Sequence, residues 1–177
     1  MSILVVGGAG YIGSHTAHLL AQRGYPVVVY DNLELGHRAA VGSLPFVHGD
    51  YGDPLALGAA IRRHKVDAVM HFGAYASVGD SVADPGKYYE CNIGKGLSLL
   101  RAVRDHGVPH VVFSSSAATY GEPTILPIPE DHPQKTTNPY GETKLMFERI
   151  LRDYDHAFGL KSVSLRYFNA AGADPEG

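Results

Sequence analysis

Gly7, Gly10 and Gly13 stand three residues apart, directly after the apolar run Ile3-Leu4-Val5-Val6. Small residues at this spacing let a backbone leave a strand, turn sharply and enter a helix packed close against that strand. The first N–H groups of such a helix have no partner inside it and sit at the positive end of its dipole, a setting suited to a pyrophosphate. Alone, a glycine-rich turn can be merely a turn. Here it follows a predicted strand and opens a predicted helix from about Tyr11 to Arg23, ended by Gly24 with Pro26 just beyond.

The rest of the chain repeats this alternation. Ile3–Val6, Val27–Tyr30, Phe46–His48, Ala68–Phe72, His110–Ser114 and Ser162–Tyr167 read as strands, several apolar almost throughout. One further helix opens at Asp53-Pro54, one ends near His106 at Gly107, and one runs from Asn138-Pro139 to Gly159. In the last of these, Leu145, Met146, Ile150 and Tyr154 form an expected core stripe, and Tyr88, Tyr89, Tyr154 and Phe158 read as packing residues. The pattern predicts an α/β fold, a doubly wound, Rossmann-like parallel sheet of about six strands with helices on both faces. The expected domain spans residues 1–177, with no visible linker or repeat. Gly121 to Thr137, with Pro123, Pro127, Pro129 and Pro133, is a long irregular loop of the kind that usually carries function.

Apolar residues make up 45% of the 177, enough for a packed core. A net charge of −3 without any basic block points away from nucleic acid and from anionic membrane surfaces. Cys91 is the single cysteine, so an internal disulfide or a cysteine-based zinc site is excluded. His15 and His18 share a helix face without a third ligand, and no metal is expected. The N-terminal residues have no basic n-region, and no run approaches the ~18 apolar residues of a membrane span. The expected setting is the cytoplasm.

Asp31 ends the second strand, 18 residues after Gly13. A carboxylate there can accept both ribose hydroxyls of an adenosine and would repel a 2′-phosphate, which favours NAD over NADP. Read locally, Asp31-Asn32 is also an ordinary turn. Gly49-Asp50-Tyr51 follows the third strand and Phe72-Gly73-Ala74 the fourth, both at the sheet edge where open α/β folds bind ligands. Asp50 can accept from an adenine amino group, and Gly73 and Ala74 let backbone lie against a cofactor.

Ser114-Ser115-Ser116 closes the fifth strand, and Tyr140 and Lys144 open the last helix four residues apart, on one face. An ammonium beside a phenol stabilises the phenolate, which suits tyrosine to general-base work near neutrality. Such a pair is often only a solvated face, but here it follows a dinucleotide loop and a serine-rich strand end.

The segments GGAGYIGSHT, DNLELGHR, HFGAYASVGDSV, SSSAATYG, NPYGETK and LRYFNAAGADPEG resemble, in order, the UDP-glucose 4-epimerases of the extended short-chain dehydrogenase/reductases. The resemblance covers essentially the whole chain. It implies Ser116, Tyr140 and Lys144 as a catalytic trio, with Ser116, Tyr140 and Asn169 toward the UDP-hexose. It implies an NAD site of Gly7, Gly10, Tyr11, Ile12, Gly13, Asp31, Asn32, Asp50, Tyr51, Phe72, Gly73, Ala74, Asn92, Ser114, Tyr140, Lys144 and Phe168. Related dehydratases carry an acidic pair after the catalytic hydroxyl, whereas this chain has Ala117 and Ala118, so reversible oxidation at the sugar C4 is the implied chemistry. A homodimer is also implied, with Ile93, Leu97 and Leu100 as one apolar stripe and Tyr88, Tyr89, Phe147 and Leu151 as further surface. Departures are Ala76 where many members carry lysine, and Asn92-Ile93-Gly94-Lys95-Gly96 where they show N-x-x-G-T. Members are also nearly twice as long, so a second, sugar-nucleotide-gripping lobe is expected to be absent and turnover feeble. The competing readings are an NAD-binding module without turnover and a reductase or dehydrogenase that consumes the cofactor.

Overall fold

The structure, a computed structural model, describes residues 1–174. In chain order it runs β1 (Ser2–Val6), α1 (Tyr11–Gln22), β2 (Val27–Asp31), α2 (Arg38–Val41), β3 (Phe46–His48), α3 (Pro54–His64), β4 (Val66–His71), α4 (Val78–Ala83) and α5 (Pro85–Tyr88). A π-helical segment (Tyr89–Lys95) joins α5 to α6 (Gly96–Asp105); then come β5 (His110–Ser116), a 3₁₀ turn (Ala117–Thr119), α7 (Pro139–Phe158) and β6 (Lys161–Tyr167). The six strands form one parallel sheet in the order β3-β2-β1-β4-β5-β6, the doubly wound arrangement the alternation predicts. The order reverses beside β1, so the glycine turn lies at the switch point where such sheets take ligands.

The helix ends have local causes. Asp53 accepts from the N–H groups of Leu55 and Ala56 ahead of α3, and Asn138 accepts from Gly141 N at 2.8 Å ahead of α7, each with proline in the first turn. Gly24, Gly107 and Gly159 all take positive φ just past helix ends. The helices α2 and α4 and the π-helical segment leave no mark in the pattern of apolar residues.

β1 shows why the sheet is buried on both faces. Leu4 and Val6 join Tyr30, Val69, Phe113 and the helices α3, α6 and α7 on one side, while Ile3 and Val5 join Val29, Ala17 and Val41 on the other. The expected stripe on α7 holds in part: Leu145 is buried and Ile150 and Tyr154 pack half-buried against the core, Met146 is half-buried, and Phe147 and Leu151 are buried beside them. Tyr88, Leu100, Phe147 and Leu151, expected as dimer surface, are core residues; Tyr89 and Leu97 stay exposed. Among the described residues, no helix is long and apolar enough to cross a membrane.

Candidate active site

The groove is built at the carboxyl ends of the strands. Gly7 adopts φ +75° and lies so close to the loop after β4 that a Cβ would overlap the amide of Gly73, and a Cβ on Gly13 would overlap the Gly7 carbonyl. The first i→i−4 bond of α1 runs from Ser14 N to Gly10 O at 2.9 Å, which leaves the N–H groups of Tyr11, Ile12 and Gly13 ahead of the helix ladder. No acidic side chain occupies that first turn. Bare backbone donors over a glycine floor suit a diphosphate. Neither His15 nor His18 is among the residues lining the groove: His15 packs edge-on against the Tyr11 ring, and His18 Nε2 is 3.0 Å from Ala40 O.

Two cavities adjoin along the groove and share Gly7, Gly10, Phe72 and Ala74. The first is lined by Asp31, Asn32, Tyr51 and Gly73 among the expected residues. Asp31 is buried and accepts from Ala9 N (2.9 Å) and Leu33 N (2.8 Å), one bond per carboxylate oxygen, so each oxygen keeps a lone pair for a ribose hydroxyl. Asp50 is placed otherwise than expected. It is not among the residues that line the first cavity, and its half-exposed carboxylate accepts from Lys95 Nζ (2.6 Å), Asn32 Nδ2 (3.3 Å) and Gly52 N (2.7 Å). Burial pushes its pKa up, yet the Lys95 and Gly52 bonds outweigh that and hold it below the usual carboxylate range. Asn92 also departs from expectation. Buried, it bonds Tyr75 N (3.0 Å), Tyr75 O (3.1 Å) and Thr143 Oγ1 (3.0 Å), and so pins the loop after β4 to α7 instead of lining a cavity.

The second cavity, a cleft of about 1420 Å³ open to solvent, brings together Ser114, Ser116, Tyr140, Lys144, Phe168 and Asn169 with Tyr11, Ile12 and Gly13. Lys144 is buried, donates to Ser114 O at 2.7 Å and lies 4.9 Å from the centre of the Phe113 ring. Burial lowers its amine to about 8. The Tyr140 phenol is pushed up by burial, with the Ser116 hydroxyl acting against it. The lowering expected from a neighbouring ammonium is thus not present in this arrangement, because the lysine nitrogen is 5.7 Å from the Tyr140 ring centre and is spent on the Ser114 carbonyl. Ser116 Oγ accepts from Ala118 N at 3.1 Å, which fixes the hydroxyl and leaves its proton to donate.

Sequence reasoning missed Glu34, Tyr75, Cys91 and Lys95 on the first cavity and Tyr167 on the second. Tyr75 donates its phenol proton to Glu34 across the mouth of the first cavity, and Tyr51 bonds Cys91 O at 3.2 Å. Lys95 left a trace as the charged residue that interrupts the N-x-x-G-T pattern, and Cys91 as the replacement of a neighbour that is commonly polar in the family.

The profile of the NAD dependent epimerase/dehydratase family matches residues 3–177. The UDP-glucose 4-epimerase of Halalkalibacterium halodurans is 51% identical over 177 residues, which cover 100% of this chain and 53% of that protein. The crystal structure of UDP-glucose 4-epimerase from Brucella ovis in complex with NAD is 55% identical and superposes with a TM-score of 0.97 over 99% of this chain and 54% of that one. The enzyme from Bifidobacterium longum in complex with NAD+ and UDP is 38% identical, with a TM-score of 0.95 over 99% of this chain and 56% of its own. The chain spans about half the length of the curated relatives it matches.

Proposed function

The chain belongs to the NAD dependent epimerase/dehydratase family, and from that premise we propose that residues 1–177 form the NAD-binding domain of a UDP-hexose 4-epimerase. The observation that carries the reading is the continuity of the groove: the Asp31 cavity opens over Gly7 and Gly10 into the cleft that holds Ser116, Tyr140 and Lys144. Asp31 would hold the adenosine ribose, and the N–H groups at the start of α1 would hold the diphosphate. Bound NAD would supply a reversible hydride acceptor for the sugar C4. Tyr140 would take the proton of the sugar 4-hydroxyl as C4 is oxidised to a ketone, and return it to the same oxygen when C4 is reduced on its opposite face. Ser116 would donate to the sugar oxygen and favour the Tyr140 phenolate, and Lys144 would hold the end of β5 against α7 and place a positive charge in the cleft.

Ala117 and Ala118 line the cleft where expulsion of a hydroxyl would need a proton donor, which favours epimerisation over dehydration. The reading includes pairing with a second copy, supported by the exposed Tyr89 and Leu97 of the helical segment before β5. The protein contains no tryptophan, so bound NADH is read by its own fluorescence. NADH is expected to bind more tightly than NADPH, and Asp31→Ser to narrow the gap. Equal or tighter NADPH binding by the unaltered chain would overturn the reading of Asp31. Conversion of UDP-galactose, followed by product separation without NADH accumulation and abolished in Tyr140→Phe, tests the chemistry.

A further inference from the structure

Glu34 and Tyr75 reach each other from opposite sides of the groove. β2 and β4 flank β1 in the sheet, so the loop after β2, which carries Glu34, and the loop after β4, which carries Tyr75, stand on either side of the glycine turn that follows β1. The Tyr75 phenol donates to Glu34 Oε1 and joins the two loops. Both residues line the first cavity together with Gly7, Gly10 and Asp31. The bond is exposed to solvent whereas Asp31 is buried, which places the bond at the outer rim of the cavity and not across its floor. Tyr75 also stands where the two cavities adjoin, since Ala74 before it lines both and Ala76 after it lines the second.

The two ends of this bridge are held differently. Tyr75 is anchored: its N–H and its carbonyl both bond the buried Asn92, at 3.0 and 3.1 Å, and Lys87 Nζ lies 4.0 Å from the centre of its ring. The Glu34 side chain is exposed, with the phenol on Oε1 and a longer approach of Asn32 Nδ2 to Oε2, at 3.4 Å. Opening the bridge takes a turn of that one exposed side chain and leaves the fold as it is. Resting on the NAD reading above, we infer that Glu34 and Tyr75 form a gate over the groove that sets how fast the dinucleotide exchanges. The bond is made between protein groups alone, so it closes over an empty groove and a filled one alike, and it governs the rates of entry and exit more than the affinity. The proposed chemistry gives slow exchange a use, because the dinucleotide must stay in place from the oxidation of C4 to its reduction.

The test uses NADH with the unaltered chain, Tyr75→Phe, Glu34→Ala and the double variant. Association is followed by fluorescence after rapid mixing, and release by displacement with excess NAD. Tyr75→Phe keeps the ring beside Lys87 and removes the hydroxyl, so association and release should both quicken by about fivefold, with affinity moving far less than either rate. In the Glu34→Ala background the same substitution should change neither rate, because the bridge is already gone. An effect of Tyr75→Phe on release alone, on association alone or on neither rate would overturn the inference, as would an equal effect in both backgrounds. If the unaltered chain binds no NADH, the NAD reading itself fails and this inference with it.

Discussion

Lys144 donates to the carbonyl oxygen of Ser114 at 2.7 Å while its nitrogen stands 5.7 Å from the centre of the Tyr140 ring. The lysine thus ties the end of β5 to the start of α7 before it acts on the tyrosine. Its amine is lowered by burial to about 8, so the charge is present below that pH and lost above it. Affinity for NADH should therefore fall as pH rises from about 7 to about 9.5. Lys144→Met should bind about tenfold more weakly at neutral pH and show no such slope. Fluorescence titrations across that range check both, and a flat profile in the unaltered chain would remove Lys144 from the site.

His71 supplies a pH dependence of a different kind. It is fully buried among Tyr51, Phe113 and Phe147, with no partner for Nδ1, and burial lowers it from 6.5 to about 3. The unfolded chain takes up this proton below about 6.5 while the folded chain does not. The stability is complete above that pH and declines as pH falls toward 3, by up to about 1.4 kcal/mol per pH unit. Urea unfolding between about pH 6.5 and 4.5 should show the decline in the unaltered chain and a smaller one in His71→Leu.

Gly7 and Gly24 have similar φ values, +75° and +82°, but a Cβ at Gly24 would meet nothing within 4 Å, whereas one at Gly7 would run into Gly73. Gly24→Ala should cost roughly 1 kcal/mol, from the backbone conformation alone. Gly7→Ala adds a steric overlap and should cost at least about twice that. Thermal unfolding of the two variants side by side measures the difference, and NADH binding should be lost only in the Gly7 variant.

Glu148 and Arg166 form the best-connected ion pair of the described residues. Arg166 donates Nε to Oε1 (3.0 Å) and a terminal nitrogen to Oε2 (2.8 Å), and Ser115 and Gln134 donate to the same carboxylate. Arg166 also donates to the Tyr120 hydroxyl at 2.7 Å and to Glu130 O at 3.0 Å, so β5, β6, α7 and the proline-rich loop meet here. Glu148→Ala leaves the guanidinium without its carboxylate and should cost roughly 3 kcal/mol, with Glu148→Gln costing less. Chemical unfolding gives both values, and equal losses would show that the charge is irrelevant.

All six strands and the start of α1, α3 and α7 can be read from the sequence, because their causes are local: β-branched runs, Asp53, Asn138, and glycines just beyond helix ends. The helix α4 is six residues long and has Ser77 for its N-cap, too short for an apolar period. Phe147 and Leu151 look like surface because nothing in α7 itself says which of its apolar flanks meets β5. The ion pair of Asp50 is hidden for a related reason: its partner Lys95 lies 45 residues away on another element. The Tyr140 and Lys144 pair is legible because it opens a helix that Asn138-Pro139 marks, whereas the choice of Ser116 among three serines comes from the family resemblance.

The π-helical segment lies between α5 and α6 in a continuous helical stretch, and its wider turns hold residues that an α-helix over the same length would not need. Loss of a single residue within 89–95 would let α5 and α6 join as one regular helix, with Leu99, Leu100 and Val103 still in the core. What would change is the side chain presented to the first cavity. This edge of the groove is therefore open to revision by insertion and deletion, a route that leaves the surrounding helices and the sheet untouched.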